Sequence, residues 1–194
     1  MAIIVNKEEK RRNIALSCRE LLLKHGIGEL TISQIAKTAG VGKGTIYEYF
    51  ENKEDIVFEI IRTFIIEHEK RLSEVSRSDL STREKLFHFF YLLFENEIAR
   101  KHLNIYKEFL AISLMQETKE MLSFSETCRE DFINILNNIL EAGVRSGELN
   151  AQMSASASSL MLFATGLVVD SRLKSLDVKE EIDRLLNMII KENQ

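Results

Sequence analysis

The sequence predicts an all-α protein in two parts: an N-terminal three-helix, helix-turn-helix domain over residues 1–53 and a larger helical domain over 54–194. Three observations carry that prediction. None of the 194 residues is proline or tryptophan. Apolar side chains recur at three- and four-residue spacing along most of the chain, the period of an amphipathic helix. The β-branched runs punctuated by turn clusters that an α/β chain of this size needs are missing. The length suits one or two compact domains with a substantial core.

The first element is a helix over 7–25, with Ile14, Cys18, Leu21, Leu22 and His25 at helical spacing. Its start is basic (Lys7, Lys10, Arg11, Arg12), a pattern equally compatible with phosphate contact and with a solvated arm. Gly26-Ile27-Gly28 breaks it. Residues 1–5 form too short an apolar patch for a signal peptide, and charge follows directly.

Next comes TISQIAKTAGVGKGTIYEYFENK, residues 31–53. Thr31 with Gln34 three residues on is a capping box, in which each side chain satisfies a backbone N–H at the helix start. Ile32, Ile35 and Ala36 supply one apolar face. Gly40 stands where a helix ends in left-handed backbone, and Gly42 opens a second helix over 43–50. There Ile46 and Phe50 face inward and leave Lys43, Thr45, Tyr47 and Tyr49 outward. That mixture suits DNA: a Lys for a guanine edge or a phosphate, a Thr methyl for a thymine methyl, Tyr hydroxyls for phosphate oxygens. Asn52 caps a third helix, with Asp55 three residues on. Lys53 at its positive end is placed to clamp a phosphate. GVGKG is not a nucleotide loop, because a Walker A pattern needs Gly where Lys37 stands and a dinucleotide fingerprint needs Gly where Thr45 stands. Both also follow a strand, and here a helix precedes. Two helices and a small turn can be mere corner-making, but the capping box, the GxxxGTxYxYF run and the following NKE together favour DNA.

These residues carry a resemblance. GVGKGTIYEYFENKEDI preceded by LTISQIAKTAG is similar to the N-terminal domain of the TetR family of bacterial transcriptional regulators, over roughly residues 11–60. The resemblance implies contacts with double-stranded operator DNA from Thr31, Ser33, Gln34, Lys43, Thr45, Tyr47, Tyr49 and Lys53, with Lys43 and Thr45 at the groove edge and Tyr47 and Lys53 on phosphate. The family often has a larger residue at Ser33.

The third helix continues through Ile56, Ile60 and Phe64 to about residue 76, and SRSDLS breaks the pattern. KLFHFFYLLFENEI, residues 85–98, is apolar nearly all round and is expected to run buried through the second domain. Five of the chain's eleven phenylalanines lie between Phe87 and Phe109. Plain core and a ligand cavity lined by the same rings are both compatible with this, with Glu95, Glu97, His102 and Glu108 as polar anchors or solvent-facing residues. A long helix over 119–145 follows, with Leu122, Cys128, Phe132, Ile135, Leu136, Ile139 and Leu140 apolar and Gly143 and Gly147 ending it. Residues 149–169 are uncharged, yet the apolar run from Leu160 is only ten residues and cannot span a membrane. The last helix repeats Val178, Ile182, Leu185, Leu186, Ile189 and Ile190, a near-heptad seam.

In this region the resemblance implies the homodimer interface, with Leu160, Phe163, Ala164 and Leu167 on one helix and Ile182, Leu185 and Ile189 on the other. The family's pocket location, together with apolar spacing, points to Phe64, Phe90 and Phe94 and to Tyr106, Phe109, Leu110 and Phe132 as effector-lining. A ligand wedged against the segment 105–121 would tilt the third helix and release DNA. An acidic body with an aromatic core points to a small hydrophobic or cationic effector.

Charge divides along the same line. Residues 1–53 hold nine Lys/Arg and six Asp/Glu, whereas residues 54–194 hold 17 and 24, within a chain of net charge −4. DNA's field attracts only the basic head. Cys18 and Cys128 lie far apart with no CxxC or neighbouring histidine, which argues against zinc and disulfides and fits a reducing cytoplasm; the resemblance implies a bacterial one, with the protein at the nucleoid. No cofactor or metal is implied. No HExxH, nucleophile elbow or catalytic carboxylate pair can be assigned, so an enzyme is not expected. The expected function is a ligand-responsive regulator, a repressor, binding palindromic operators as a dimer. The alternative is a DNA-binding protein of the same fold controlled by a protein partner.

Overall fold

The computed structural model describes residues 7–115 and 118–191. The apolar patch at 1–5, and Gln116 and Glu117 within the 105–121 segment, lie outside the described residues. Among the described residues ten α-helices follow one another: α1 (Lys7–Ser17), α2 (Arg19–His25), α3 (Ile32–Ala39), α4 (Lys43–Tyr49), α5 (Lys53–Arg77), α6 (Thr82–Tyr91), α7 (Glu97–Met115), α8 (Lys119–Arg145), α9 (Ala157–Asp170) and α10 (Val178–Ile189). Among the described residues the extended pairing is one isolated antiparallel bridge, Leu149 with Ile190, so the fold is all-α. No helix among them is long and apolar enough to cross a membrane. The chain forms two compact units: Met1–Ile66 with Asn104–Gln116, and Glu67–Leu103 with Glu117–Gln194.

In the first unit Ile14, Cys18, Leu22, Leu30, Ile35, Ile46, Phe50, Ile56 and Ile60 are buried together as the core. The single helix expected over 7–25 is two. The Ser17 hydroxyl donates to the Ile14 carbonyl at 2.7 Å, and the Cys18 N–H bonds back three residues to Ala15. That tight turn steps Cys18 out of the α-helical ladder, a common effect of a hydroxyl bonding its own helix. Burial pushes the Cys18 thiol up. His25, expected on the apolar face, is exposed.

The second unit departs from expectation where its sequence is most apolar. The helix predicted over 85–98 ends at Tyr91, passes through a 3-10 turn at Leu92–Phe94, and restarts as α7. Glu95 sits in the break, ion-paired with Arg71 and 3.6 Å from His88, and the Asn96 side chain accepts the Ala99 N–H at 2.9 Å as the new helix cap. A charged residue with partners and a good cap outweigh the apolar run. Beyond the break Ile98 is 62% exposed rather than buried.

The α8 span matches expectation, capped by Thr118 accepting from the Met121 N–H. Its buried stripe includes Met121 and Phe124, however, while Leu122 is exposed. Gly147 lies just past its end with φ +84°. Gly143 does not end the helix. It is where Thr82 and Leu149 pack against it: a Cβ there would lie 2.6 Å from Thr82 Cγ2 and 2.8 Å from Leu149 Cδ1. Beside it Glu148 accepts from the Thr82 hydroxyl at 2.5 Å, the Ser146 hydroxyl at 2.8 Å and the Thr82 N–H at 3.2 Å, and these bonds hold its carboxyl below the usual range. The α6 start is a second capping box, Ser81 with Glu84.

Candidate nucleic-acid interface

α3 and α4 are short, and side-chain packing rather than length keeps them helical. The capping box at the α3 start is formed: Thr31 N–H donates to Gln34 Oε1 at 2.8 Å, and Gln34 N–H to Thr31 Oγ1 at 3.3 Å. The Thr31 hydroxyl also donates to Gln34 Oε1 at 2.6 Å. Both side chains are thereby committed to the cap. Gly40 ends α3 in left-handed backbone (φ 66°, ψ 30°), and Gly42, extended, opens α4. Ile35, Ala36, Ile46 and Phe50 are buried beneath. Ser33 and Lys43 are exposed, Tyr47 is 59% exposed, and Thr45 and Tyr49 are half-buried. Lys37 and Thr38, also exposed, extend this polar surface. The sequence reading missed both, although each is off the apolar stripe of Ile32, Ile35 and Ala36.

Arg11 belongs to the scaffold and not to a phosphate-seeking arm. Its guanidinium donates to Asp55 Oδ1 and Oδ2 at 2.5 and 3.1 Å, to Glu59 Oε2 at 3.3 Å and to the Tyr49 carbonyl at 2.6 Å. It also lies 4.5 Å over the Phe50 ring. The hydrogen bond to Asp55 is the main cause of its raised pKa. This one side chain ties α1 to the end of α4 and the start of α5. Asn52 caps α5 as expected, its Oδ1 accepting the Asp55 N–H at 2.8 Å. Lys53 does something unforeseen: its ammonium donates to the carbonyls of Ile27 at 3.2 Å and Gly28 at 3.5 Å. An ammonium has three donors, so one is left to reach outward.

The aromatic residues expected around an effector divide between the units. Phe64, Tyr106, Phe109 and Leu110 fall in the first, Phe90, Phe94 and Phe132 in the second. Phe64 lies under the Arg19 guanidinium at 4.6 Å, and Phe109 meets Phe58 edge-on at 5.8 Å. In the second unit Phe89 meets Phe132 at 6.3 Å and Phe90 meets Phe163 at 5.3 Å, both edge-on. Each of the four polar anchors has a partner. Glu95 is paired as above, Glu97 lies 3.4 Å from Lys101, His102 Nδ1 is 3.2 Å from His68 Nε2, and Glu108 binds backbone in the first unit. Among the described residues no three His, Cys, Asp or Glu side chains gather as a metal site.

Of the residues expected at a dimer interface, Leu160, Leu167 and Ile182 are buried within their own unit, and Phe163 turns its ring to Phe90. Ala164, Leu185 and Ile189 are half-buried. The apolar side chains these two helices leave outward are Leu162, 65% exposed, Val169, and Met188, 82% exposed.

A pair of short helices with one face on a compact core and a face of Lys, Ser, Thr and Tyr outward is the geometry of a helix-turn-helix. Residues 17–60 match the model for bacterial regulatory proteins of the tetR family. The chain is 29% identical over 164 residues to the fatty acid metabolism regulator protein of Bacillus subtilis, covering 82% of this chain and 80% of that one. Among solved structures, Bacillus subtilis FadR in complex with stearoyl-CoA superposes with a TM-score of 0.61 at 24% identity, over 94% of this chain and 98% of that one. A transcriptional regulator from Saccharomonospora viridis in complex with choline superposes with a TM-score of 0.75 at 18% identity, over 95% and 100%. Residues 17–60 are therefore the N-terminal domain of the TetR family of bacterial transcriptional regulators, and the rest of the chain is similar to regulators of that kind.

Proposed function

We propose that the protein is a repressor that binds a palindromic operator as a homodimer and is released by a small hydrophobic or cationic effector. The observation that carries the DNA reading is the α3–α4 surface, in which exposed Ser33, Lys43 and Tyr47 stand on fully buried Ile35 and Ile46. Lys43 and Thr45 read base edges, and Tyr47 and Lys53 bind phosphate. The dimer forms through the outward apolar residues of α9 and α10: Leu162 and Val169, seven apart on one helix face, with Leu185, Met188 and Ile189. Exposed Gly166 between the first two lets a partner helix approach closely.

The effector shifts an equilibrium only as far as it prefers the DNA-incompetent state. Complete release requires roughly 5.5 kcal/mol of differential affinity. By reciprocity operator DNA weakens effector binding by the same factor. The experiment is fluorescence anisotropy of operator DNA with the full chain, without effector and with saturating stearoyl-CoA or choline as the apolar and cationic probes. The reading expects one of them to weaken operator binding, and operator to weaken that probe's binding equally. Operator binding unmoved by both probes, and by a broader panel of apolar and cationic compounds, would instead favour control by a protein partner.

A further inference from the structure

The turn between α2 and α3 is held by two opposite charges from two other helices. Glu108 of α7 accepts the Ile27 N–H at Oε2 and the Gly28 N–H at Oε1, both at 2.8 Å. Lys53, at the start of α5, donates to the carbonyls of those same two residues. Gly26, with φ +74°, leaves room for the carboxylate: a Cβ there would lie 2.8 Å from Glu108 Oε2. All of these residues belong to the first unit. The neighbours of Glu108 anchor its helix there too, since Ile105 and Phe109 are buried and Phe109 packs on Phe58.

We infer that Glu108 is a positioning residue for operator binding, one that sets the entry of α3 by holding the Ile27–Gly28 peptide groups. The inference rests on the proposed reading that α3–α4 contacts DNA. Its physical basis is that a carboxylate accepting two consecutive backbone N–H groups fixes the direction of both peptide planes, which one neutral acceptor does not. Thr31, the α3 cap, stands three residues after Gly28. An error in the turn is therefore passed on to α3, and through the Gly40 turn to α4. Lys53 holds the other side of the same turn, so losing Glu108 leaves it held from one side only. The cost to folding is modest, because the Gly28 bond is exposed and the Ile27 bond only part-buried, and Glu108→Gln keeps one acceptor oxygen. The cost to DNA binding is larger, because base contacts tolerate little displacement.

The test uses the full chain and Glu108→Gln, which keeps the shape and one acceptor oxygen but loses the charge and sets an NH₂ against a backbone N–H. Operator affinity is measured by anisotropy at a temperature where circular dichroism shows the variant folded. Lys43→Ala is measured in parallel. The inference expects operator affinity about tenfold weaker in Glu108→Gln, with a thermal midpoint lowered by only about 2–4 °C. A role in stability alone would move the midpoint and leave the affinity of the folded protein unchanged, which would overturn the inference. If Lys43→Ala also bound normally, the DNA-face reading beneath it would fail instead. A second measurement does not depend on the variant. In the unaltered protein the Ile27 and Gly28 amides should exchange with solvent slowly, and equally fast exchange there and in unprotected amides would remove the carboxylate's hold.

Discussion

The two exposed surfaces of this protein, α3–α4 in the first unit and α9–α10 in the second, are built on opposite logic. Each rests on a buried apolar layer: Ile35, Ile46 and Phe50 beneath the first, Leu160, Leu167, Ile182 and Leu186 beneath the second. Above that layer the first surface turns out Ser33, Lys43 and Tyr47, which water solvates well. The second turns out Leu162, Val169 and Met188, whose apolar area costs roughly 25 cal/mol per Å² while it faces water. The first surface fits a polar, charged ligand, whereas the second is relieved only by another apolar surface. Charge is divided along the sequence as well, basic residues predominating over 1–53 and acidic ones over 54–194. An anionic polymer is attracted to one end of the sequence and repelled by the other. A partner for the apolar surface has to be recognised by shape and burial, and the second copy of the chain proposed above would supply both.

The sharpest way to break this contrast is to put a charge on the apolar surface. Met188→Glu or Leu162→Glu should give monomers in sedimentation velocity and weaken operator binding roughly 10²–10⁴-fold, because two linked heads gain from effective concentration and one head does not. Next in size is the polar surface. Lys43→Ala should cost roughly 1–3 kcal/mol on the best operator and change which sequence is preferred, as read by binding selection on a randomised site. Lys53→Ala should weaken all sequences alike and lower the slope of log affinity against log salt by about 1. A change of preference in Lys53→Ala with only a salt effect in Lys43→Ala would reverse the two roles.

The smallest effect concerns Glu148, just past the end of α8 in the second unit. The Thr82 hydroxyl, then Ser146 and the Thr82 N–H, hold the Glu148 carboxyl below its ordinary value of 4.5. A carboxyl lowered in the folded state stabilises fully above that ordinary value, and the contribution is lost as pH falls through the folded value. Glu148→Gln should therefore cost roughly 1 kcal/mol or less near neutral pH, since solvent screens the site, and should flatten the acid limb of a stability–pH curve. Operator affinity of the folded protein at neutral pH should not change.

The local devices were legible in the sequence. Thr31 with Gln34, Gly40, Gly42 and Asn52 act where the spacing puts them, and α8 begins and ends where its apolar stripe does. Each depends on partners within about one helical turn, and the sequence prints those partners side by side. The family and the all-α class follow from such local signals taken together. Tertiary structure decided the rest, because the deciding partners are far apart along the chain. Arg11 reads as one more basic residue until Asp55 and Glu59 arrive, 44 and 48 residues on. Glu108 reads as a cavity anchor or a solvated acid until Ile27 and Gly28, 81 and 80 residues earlier, present their N–H groups. Phe163 and Ile182 read as interface residues until Phe163 packs edge-on against Phe90 and Ile182 is buried in its own unit's core. Apolar spacing says that a side chain leaves water, but only the assembled chain determines whether it leaves for its own core or for a partner's surface. For a charged side chain the same holds: its free energy is set by whichever opposite charge or peptide dipole the fold brings within about 3 Å.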